Sequence, residues 1–216
     1  MDNSYIKNNY IKIFWIFIIG SIIGTFYEEI LNFIRSGNFE SRASVIYGPF
    51  NIEYGVGLAL FAIILGKNNT KRKWYYTFIL SCLIGGVTEF LSACFIEKFY
   101  NMRFWNYDGK FLNIYNKTTG VFIICWGLVG VLFMKFLYPL EEKLINKING
   151  KILYIFTCII SVFMFFNILI SFTALYRYNL RAMGNEPKTY IGTLYDRYYT
   201  DEIIENVYSN MEYLGK

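Results

Sequence analysis

Residues 11–33 read IKIFWIFIIGSIIGTFYEEILNF, an apolar run long enough to cross a lipid bilayer as one helix. A secretory signal peptide would end in small residues at a cleavage site, whereas this run continues into Thr25-Phe26-Tyr27-Glu28-Glu29. We therefore predict a retained transmembrane helix over 11–33. Four more apolar runs follow, and they predict helices over 52–65, 74–96, 119–137 and 152–175.

The composition agrees with a membrane protein. Of the 216 residues, 55% are hydrophobic and 17% are charged, whereas soluble domains carry about 25% charged residues. The predicted fold class is all-α: a polytopic integral membrane protein with about five transmembrane helices and a short amphipathic C-terminal tail. We place the transmembrane helical domain at 1–175 and the polar, tyrosine-rich tail at 176–216. Within the tail, Asp201-Glu202-Ile203-Ile204 followed by Val207 predicts a short amphipathic helix, which lies either on the membrane interface or against a partner.

The second apolar run is short. Its fourteen residues would cover only ~21 Å of a ~30 Å hydrocarbon core, so we expect the helix to begin inside the preceding loop. That loop contains Pro49 and Gly48, which break regular helix. Irregular backbone at membrane depth is tolerated where it lines a cavity or is buried in protein, so we predict a hairpin loop over a polar cavity.

The distribution of lysine and arginine gives an orientation. The N-terminus and the loops Lys67–Lys73 and Lys135–Lys151 carry more of these residues than the loops Arg35–Arg42 and Lys98–Lys117. Because cytoplasmic loops are enriched in lysine and arginine, we predict a multi-pass protein of the cell membrane with a cytoplasmic N-terminus and an external tail.

Several kinds of chemistry are excluded or disfavoured. The chain has no histidine, which removes histidine triads and histidine metal sites. Its four cysteines lie singly inside apolar runs and are interpreted as small apolar fillers. We predict no metal site, no cofactor and no nucleic-acid partner.

Two glutamates lie inside predicted transmembrane helices, where each ionisable residue costs roughly 2.5–3.5 kcal/mol. Each ends a stripe of small residues at four-residue steps, which predicts close helix packing beside the acid. The stripes are Gly20, Gly24 and Glu28 on the first helix, and Ser81, Gly85 and Glu89 on the third. Two readings stay open: the carboxylates hold helices together, or they form a paired site for a cation, a proton or a polar substrate.

The two stripes align at an offset of 61 residues, since Lys12, Gly24 and Glu28 match Lys73, Gly85 and Glu89. A parallel duplication with two equivalent carboxylates explains this match. Shared amphipathic constraints on two unrelated helices are the alternative.

The predicted outer loops supply further candidates for a substrate or ion site. They combine charged, turn-forming and aromatic residues: Arg42, Tyr47, Gly48, Pro49, Glu53, Trp105, Tyr107 and Asn113. Tryptophan and tyrosine are also ordinary anchors at the membrane interface, so that reading of Trp105 and Tyr107 stays open.

On these residues the chain resembles the CmpB-like ABC-transporter permease family, type IV, over most of its length. The residues that carry the resemblance are Gly20-Ser21, Glu28, Arg42, Tyr47-Gly48-Pro49-Phe50, Tyr54-Gly55, Glu89, Glu97-Lys98-Phe99, Trp105, Tyr107, Asn113, Trp126-Gly127, Asp201-Glu202 and Tyr208-Ser209-Asn210-Met211. The chain departs from the family pattern in four places, at Arg42-Ala43, Ile52-Glu53, Trp105-Asn106-Tyr107 and Asn116-Lys117. The last two replace an acid and an arginine, which predicts that a family ion pair is missing here or that the substrate differs.

The resemblance implies a permease component of a transport system, with an ATPase or another membrane subunit as partner. The stretch 140–148 has an apolar helical stripe and predicts either a surface for such a partner or an interfacial helix. Because five helices are too few to enclose a path alone, a homo-oligomer is expected. Two alternatives remain: a non-catalytic scaffold or regulator that acts through the tail, and an intramembrane enzyme that uses the carboxylates on a lipid-linked substrate. The sequence predicts no catalytic residue.

Overall fold

The computed structural model describes residues 3–148 and 150–215, and it confirms the all-α class. The longer helices are α1 (Asn3–Ser36), α2 (Ile52–Leu65), α3 (Trp74–Tyr100), α4 (Gly120–Leu132), α5 (Tyr138–Lys147) and α6 (Gly150–Ala182). A π-helical turn over Phe133–Leu137 joins α4 to α5, and a 3-10 turn covers Asn69–Lys71. Two shorter helices, α7 (Tyr190–Tyr198) and α8 (Asp201–Val207), follow in the tail.

Short strands tie the loops together. Strand β1 (Met102–Arg103) pairs with β4 (Glu212–Tyr213), and β2 (Asn113–Ile114) pairs with β3 (Thr118–Thr119), both antiparallel. The first pair joins the tail to the loop after α3, and the second folds the rest of that loop into a hairpin before α4. The loop and the tail therefore lie at the same end of the bundle.

The described residues contain four helical segments that are long and apolar enough to cross a membrane, and α2 is a shorter apolar helix beside them. The four segments are Asn9–Ser36, Trp74–Tyr100, Gly120–Ile145 and Gly150–Ala182. The prediction of about five spans is thereby confirmed. Helix α6 continues past the predicted boundary at 175, and the division into a domain over 1–175 and a tail over 176–216 stays a prediction. Residues 1, 2 and 216, at the outer ends of the two predicted units, lie outside the described residues.

The expectation that the second helix begins inside the preceding loop is wrong. Helix α2 begins at Ile52, where the Asn51 side chain accepts a hydrogen bond of 3.2 Å from the Glu53 backbone N–H. Such an N-cap marks the first turn of a helix. Gly48, with a φ of +82°, and Pro49 precede the cap, so the backbone turns sharply there and does not continue the helix upstream.

The loop before α2 makes up for the shortness of that helix by packing against α6. The amide of Asn167 accepts a hydrogen bond from the Tyr47 backbone N–H (3.1 Å) and donates one to the Tyr47 carbonyl (2.7 Å). Ser171 Oγ accepts a bond of 2.9 Å from the Ile46 backbone N–H. Because α6 has 33 residues and Asn167 lies near its middle, the loop reaches membrane depth, and α6 side chains satisfy its polar groups there.

The hairpins α1–α2 and α3–α4 pack through small residues in matching register. A Cβ atom on Gly24 would collide with the Tyr54 side chain, and a Cβ atom on Gly85 would collide with the Trp126 side chain in the same way. One turn earlier on α1, Gly20 contacts Leu58 of α2. One turn earlier on α3, Ser81 contacts Gly130 of α4 in the matching position. The correspondence between the two hairpins supports the duplication hypothesis.

The tail packs on the end of α6 and on the loops before it. Ile204 and Tyr208 are almost fully buried against Ala174, Leu175 and Met102. The predicted amphipathic helix is therefore present as α8, capped by Thr200, and its apolar face lies against the same chain.

Ion pairs fasten the tail to α6. Asp196 accepts two hydrogen bonds of 2.7 Å from Arg177, whose guanidinium is nearly buried, and one of 2.7 Å from Arg181. Arg181 also pairs with Asp201. The bidentate bond from Arg177, followed by that from Arg181, holds the pKa of the Asp196 carboxyl below its ordinary value.

Replacement of Asp196 by asparagine is expected to release the tail. The change leaves Arg177 without its anionic partner, and because the Asp196 side chain is 24% exposed the loss should fall below the about 3–5 kcal/mol of a fully buried ion pair. Hydrogen–deuterium exchange over 190–207 should accelerate strongly in the variant. In the unchanged protein the protection factors of the same amides, taken relative to the intrinsic exchange rate at each pH, should fall below about pH 4, because a carboxylate with a depressed pKa stabilises the fold above its unfolded pKa and loses that effect on protonation.

Glu202→Gln provides the control, because Glu202 is an exposed carboxylate on the same tail. Its exchange should stay within error of the unchanged protein. Equal exchange in Asp196→Asn and Glu202→Gln would show that the ion pairs do not hold the tail.

Candidate functional site

A cavity of about 730 Å³ lies at the end of the bundle where α1 and α3 end and α2 and α4 begin, which we call the cavity end. Three helices each contribute one carboxylate to its wall: Glu28 from α1, Glu53 from α2 and Glu89 from α3. Glu28 and Glu89 lie at the cavity because each ends a stripe of small residues, along which a neighbouring helix packs closely. Glu53 lies at the cavity because it is in the first turn of α2, two residues after the N-cap Asn51.

Tyrosine hydroxyls hold two of these carboxylates. Tyr54 donates a hydrogen bond of 2.7 Å to Glu28 Oε1. Tyr107 donates one of 2.6 Å to Glu89 Oε1, and Thr118 donates one of 2.7 Å to Glu89 Oε2. Burial and then the charge of Glu89 raise the pKa of Tyr107, so its phenol stays protonated and acts as a donor.

Glu53 differs from the other two carboxylates. Its Oε1 atom is buried, and no hydrogen-bond partner for it occurs within 3–148 and 150–215. Buried polar atoms are normally hydrogen-bonded, and an unsatisfied one calls for an explanation such as an ion, a water molecule or a ligand. Glu53 is therefore the carboxylate of the cavity that has capacity left for a bound molecule.

Cationic groups lie at the margin of the cavity. Arg42 lines it and pairs through Nη2 with Glu40 at 2.9 Å, while Arg35 lines it from the last turn of α1. Lys117 does not line the cavity and forms an ion pair with Glu97. A lysine–carboxylate pair thus exists at the position where the sequence departs from the family pattern.

Six of the ten residues predicted for a substrate or ion site line the cavity: Glu28, Arg42, Glu53, Glu89, Trp105 and Tyr107. The other four lie elsewhere. Tyr47, Gly48 and Pro49 belong to the loop on α6, where the Tyr47 hydroxyl lies 2.9 Å from that of Tyr199. Asn113 lies in strand β2 and accepts a hydrogen bond of 2.7 Å from the Asn116 backbone N–H.

The structure adds aromatic residues, among them Tyr54, Phe122 and Trp126, to the predicted Trp105 and Tyr107. Tyr54 and Trp126 lie side by side with ring centroids 5.3 Å apart, and Tyr107 and Phe122 lie 4.8 Å apart. All four line the cavity. The pairs Tyr54-Gly55 and Trp126-Gly127 were among the residues that carry the family resemblance. In the structure, Tyr54 and Trp126 occupy equivalent positions opposite the two stripes, and this equivalence is the signal that could have identified them.

The carboxylates do not converge on one point. In the part of the chain that the structure describes, no group of three or more Cys, Asp or Glu side chains is arranged to hold a metal ion. The cavity instead spreads its charges around an aromatic and apolar wall.

The fold and the cavity together define a multi-pass membrane protein with a cavity between its helices and loops that three carboxylates line. The chain belongs to the family described as Putative ABC-transporter type IV, whose model matches residues 15–172. No curated protein and no solved structure matches the chain. The resemblance to the CmpB-like family is thereby confirmed.

Proposed function

We propose that this chain is the membrane-embedded permease component of a transport system and that the cavity at its cavity end is the substrate site. The observation that carries the proposal is the cavity itself, in which three intramembrane carboxylates face one space beside a loop at membrane depth. Ionisable residues are retained inside membrane helices mainly where they serve a pathway or a binding site.

The energy for transport has to come from another source. The sequence contains no phosphate-binding loop of the G-x-x-x-x-G-K-[ST] type, so an ATPase partner fits the family name. Helix α5, at the end opposite the cavity, exposes half of the side chains of Leu140 and Leu144, while Ile145 packs inward. This stripe is the surface that we propose for the ATPase, on the cytoplasmic side with the N-terminus. The cavity then lies toward the outer leaflet, and a homo-oligomer completes the path.

The scaffold alternative receives less support than the permease. Its proposed docking element was the tail, but α8 already buries Ile204 against the chain's own α6. For the enzyme alternative, Glu28 and Glu89 are both occupied by tyrosine donors.

Detergent purification of the tagged chain followed by mass spectrometry tests the partner. We expect a P-loop ATPase at stoichiometric level. In proteoliposomes the complex should hydrolyse ATP, and Glu28→Gln and Glu89→Gln should each lower that activity by about fivefold or more, because the site and the ATPase are coupled. The substitutions keep shape and remove charge.

Glu29→Gln is the matched control. Glu29 is the next residue on α1 and does not line the cavity, and its Oε1 accepts a bond of 3.4 Å from the backbone N–H of Arg42. Full activity in both cavity variants, or absence of any ATPase from the purified complex, would contradict the proposal.

A further inference from the structure

The charge distribution of the cavity favours a cation. Its three carboxylates exceed its two arginines, and Arg42 is already paired with Glu40 at the margin. Glu53 Oε1 is buried and has no hydrogen-bond partner among the described residues. A positive charge beside that oxygen would offset its negative charge, whereas an anion would add repulsion from all three acids.

The wall of the cavity favours an organic ammonium over a metal ion. A metal ion needs several ligand atoms that converge on it, and among the described residues no group of three or more Cys, Asp or Glu side chains is arranged to do so. The rings of Tyr54, Trp126, Tyr107 and Phe122 instead surround the space between the acids. Aromatic faces together with a carboxylate are the setting in which proteins bind substituted ammonium groups.

One side of the cavity is continuous with the surface that faces lipid. Leu91 and Phe95 of α3 and Val121 of α4 line the cavity, yet they are 58%, 45% and 53% exposed. Leu91 and Phe95 lie within a membrane-crossing helix. A hydrocarbon chain can therefore lie between these residues while a polar head reaches the acids.

The aqueous end of the cavity is covered by the tail. Asn210 lines the cavity and donates a hydrogen bond of 2.9 Å to the Phe104 carbonyl, and Ser209 Oγ donates one of 3.2 Å to the Ser41 carbonyl. Both bonds join the tail to the loops that surround the opening. The tail therefore occupies part of the aqueous end, whereas the wall along Leu91 and Phe95 is exposed.

We propose that the cavity binds an amphipathic cation, an amine or quaternary ammonium head on a hydrocarbon chain, which arrives sideways from the membrane. The head lies between Glu53 and the Tyr54–Trp126 pair, and the chain lies along Leu91 and Phe95. This inference rests on the proposed function insofar as the cavity is the substrate site.

Binding of radiolabelled dodecyltrimethylammonium to the purified full chain, in an uncharged maltoside detergent, tests the proposal by scintillation proximity. We expect saturable binding that unlabelled dodecyltrimethylammonium displaces. Tetramethylammonium, which lacks the chain, should compete about tenfold or more weakly, and dodecyl sulfate should not compete. Glu53→Gln should raise the Kd about tenfold or more, while Glu29→Gln should leave it unchanged.

Equal competition by dodecyl sulfate, or an unchanged Kd in a folded Glu53→Gln variant, would overturn the proposal. Thermal melting of both variants shows that they are folded. Different results would contradict the cation site and the permease function. Absence of binding, with an ATPase present and activity lost in Glu28→Gln, leaves the permease with another class of substrate. Binding without any ATPase partner would support the cation site and contradict the proposal that the chain is a permease.

Discussion

Replacement of Gly85 by leucine is expected to prevent stable assembly of the α3–α4 hairpin. A Cβ atom at this position would overlap the Cβ and Cγ atoms of Trp126, and the indole is held in a buried cluster with Phe61 and Leu58. Overpacking a core costs typically 1–3 kcal/mol and sometimes more, and a clash at the base of a rigid side chain leaves little room for adjustment, so we expect about 3 kcal/mol or more. Thermal melting in detergent and the monodisperse fraction on gel filtration measure the loss.

Gly150→Ala is the control for this prediction. Gly150 begins α6, and a Cβ atom there meets no heavy atom of the described residues within 4 Å. Alanine should leave the melting temperature unchanged or raise it slightly, because it is the better helix former. If Gly85→Leu melts at the same temperature as the unchanged protein, the close approach of α3 to Trp126 is not needed for the fold.

The stripes show what sequence can predict about this fold and where it stops. Four-residue steps placed Gly24 and Gly85 on the faces that meet another helix, because the helical period fixes which residues share a face. The same period does not say which side chain fills the space opposite. Tyr54 and Trp126 fill it, and both also form the cavity wall. These two rings were therefore missed, although the acids beside them and the aromatic residues Trp105 and Tyr107 were found.

The loop before α2 shows the same limit more strongly. Its Pro49 and Gly48 predicted irregular backbone over a cavity, and the residues 44–50 are non-helical in the structure. Its position, however, depends on contacts with Asn167 that span 120 residues of sequence. Local patterns carry no information about such a partner. The helix was accordingly expected to start too early, and Tyr47 was grouped with a cavity that it does not line.

Replacement of Asn167 by leucine is expected to detach this loop from α6. Leucine keeps the approximate size of the side chain but leaves the Tyr47 N–H and C=O without the partners that bond them at 3.1 and 2.7 Å. At membrane depth no water replaces these partners, and each backbone group left unsatisfied costs about 1–3 kcal/mol, so the loss should reach about 2–6 kcal/mol. Thermal melting measures the stability, and maleimide labelling of a cysteine introduced at Tyr47, in a variant whose four native cysteines are replaced by alanine, measures the release of the loop.

Thr173→Val separates this effect from a general loss of polarity on α6. Thr173 lies on the same helix, and its hydroxyl donates to the Leu169 carbonyl of α6 itself, so its removal leaves the loop bonded. We expect melting and labelling close to those of the unchanged protein. A folded Asn167→Leu variant with unchanged labelling would mean that the loop holds its depth without α6. In that case α2, at ~21 Å, would have to cross the bilayer without the polar contacts that now complete its span.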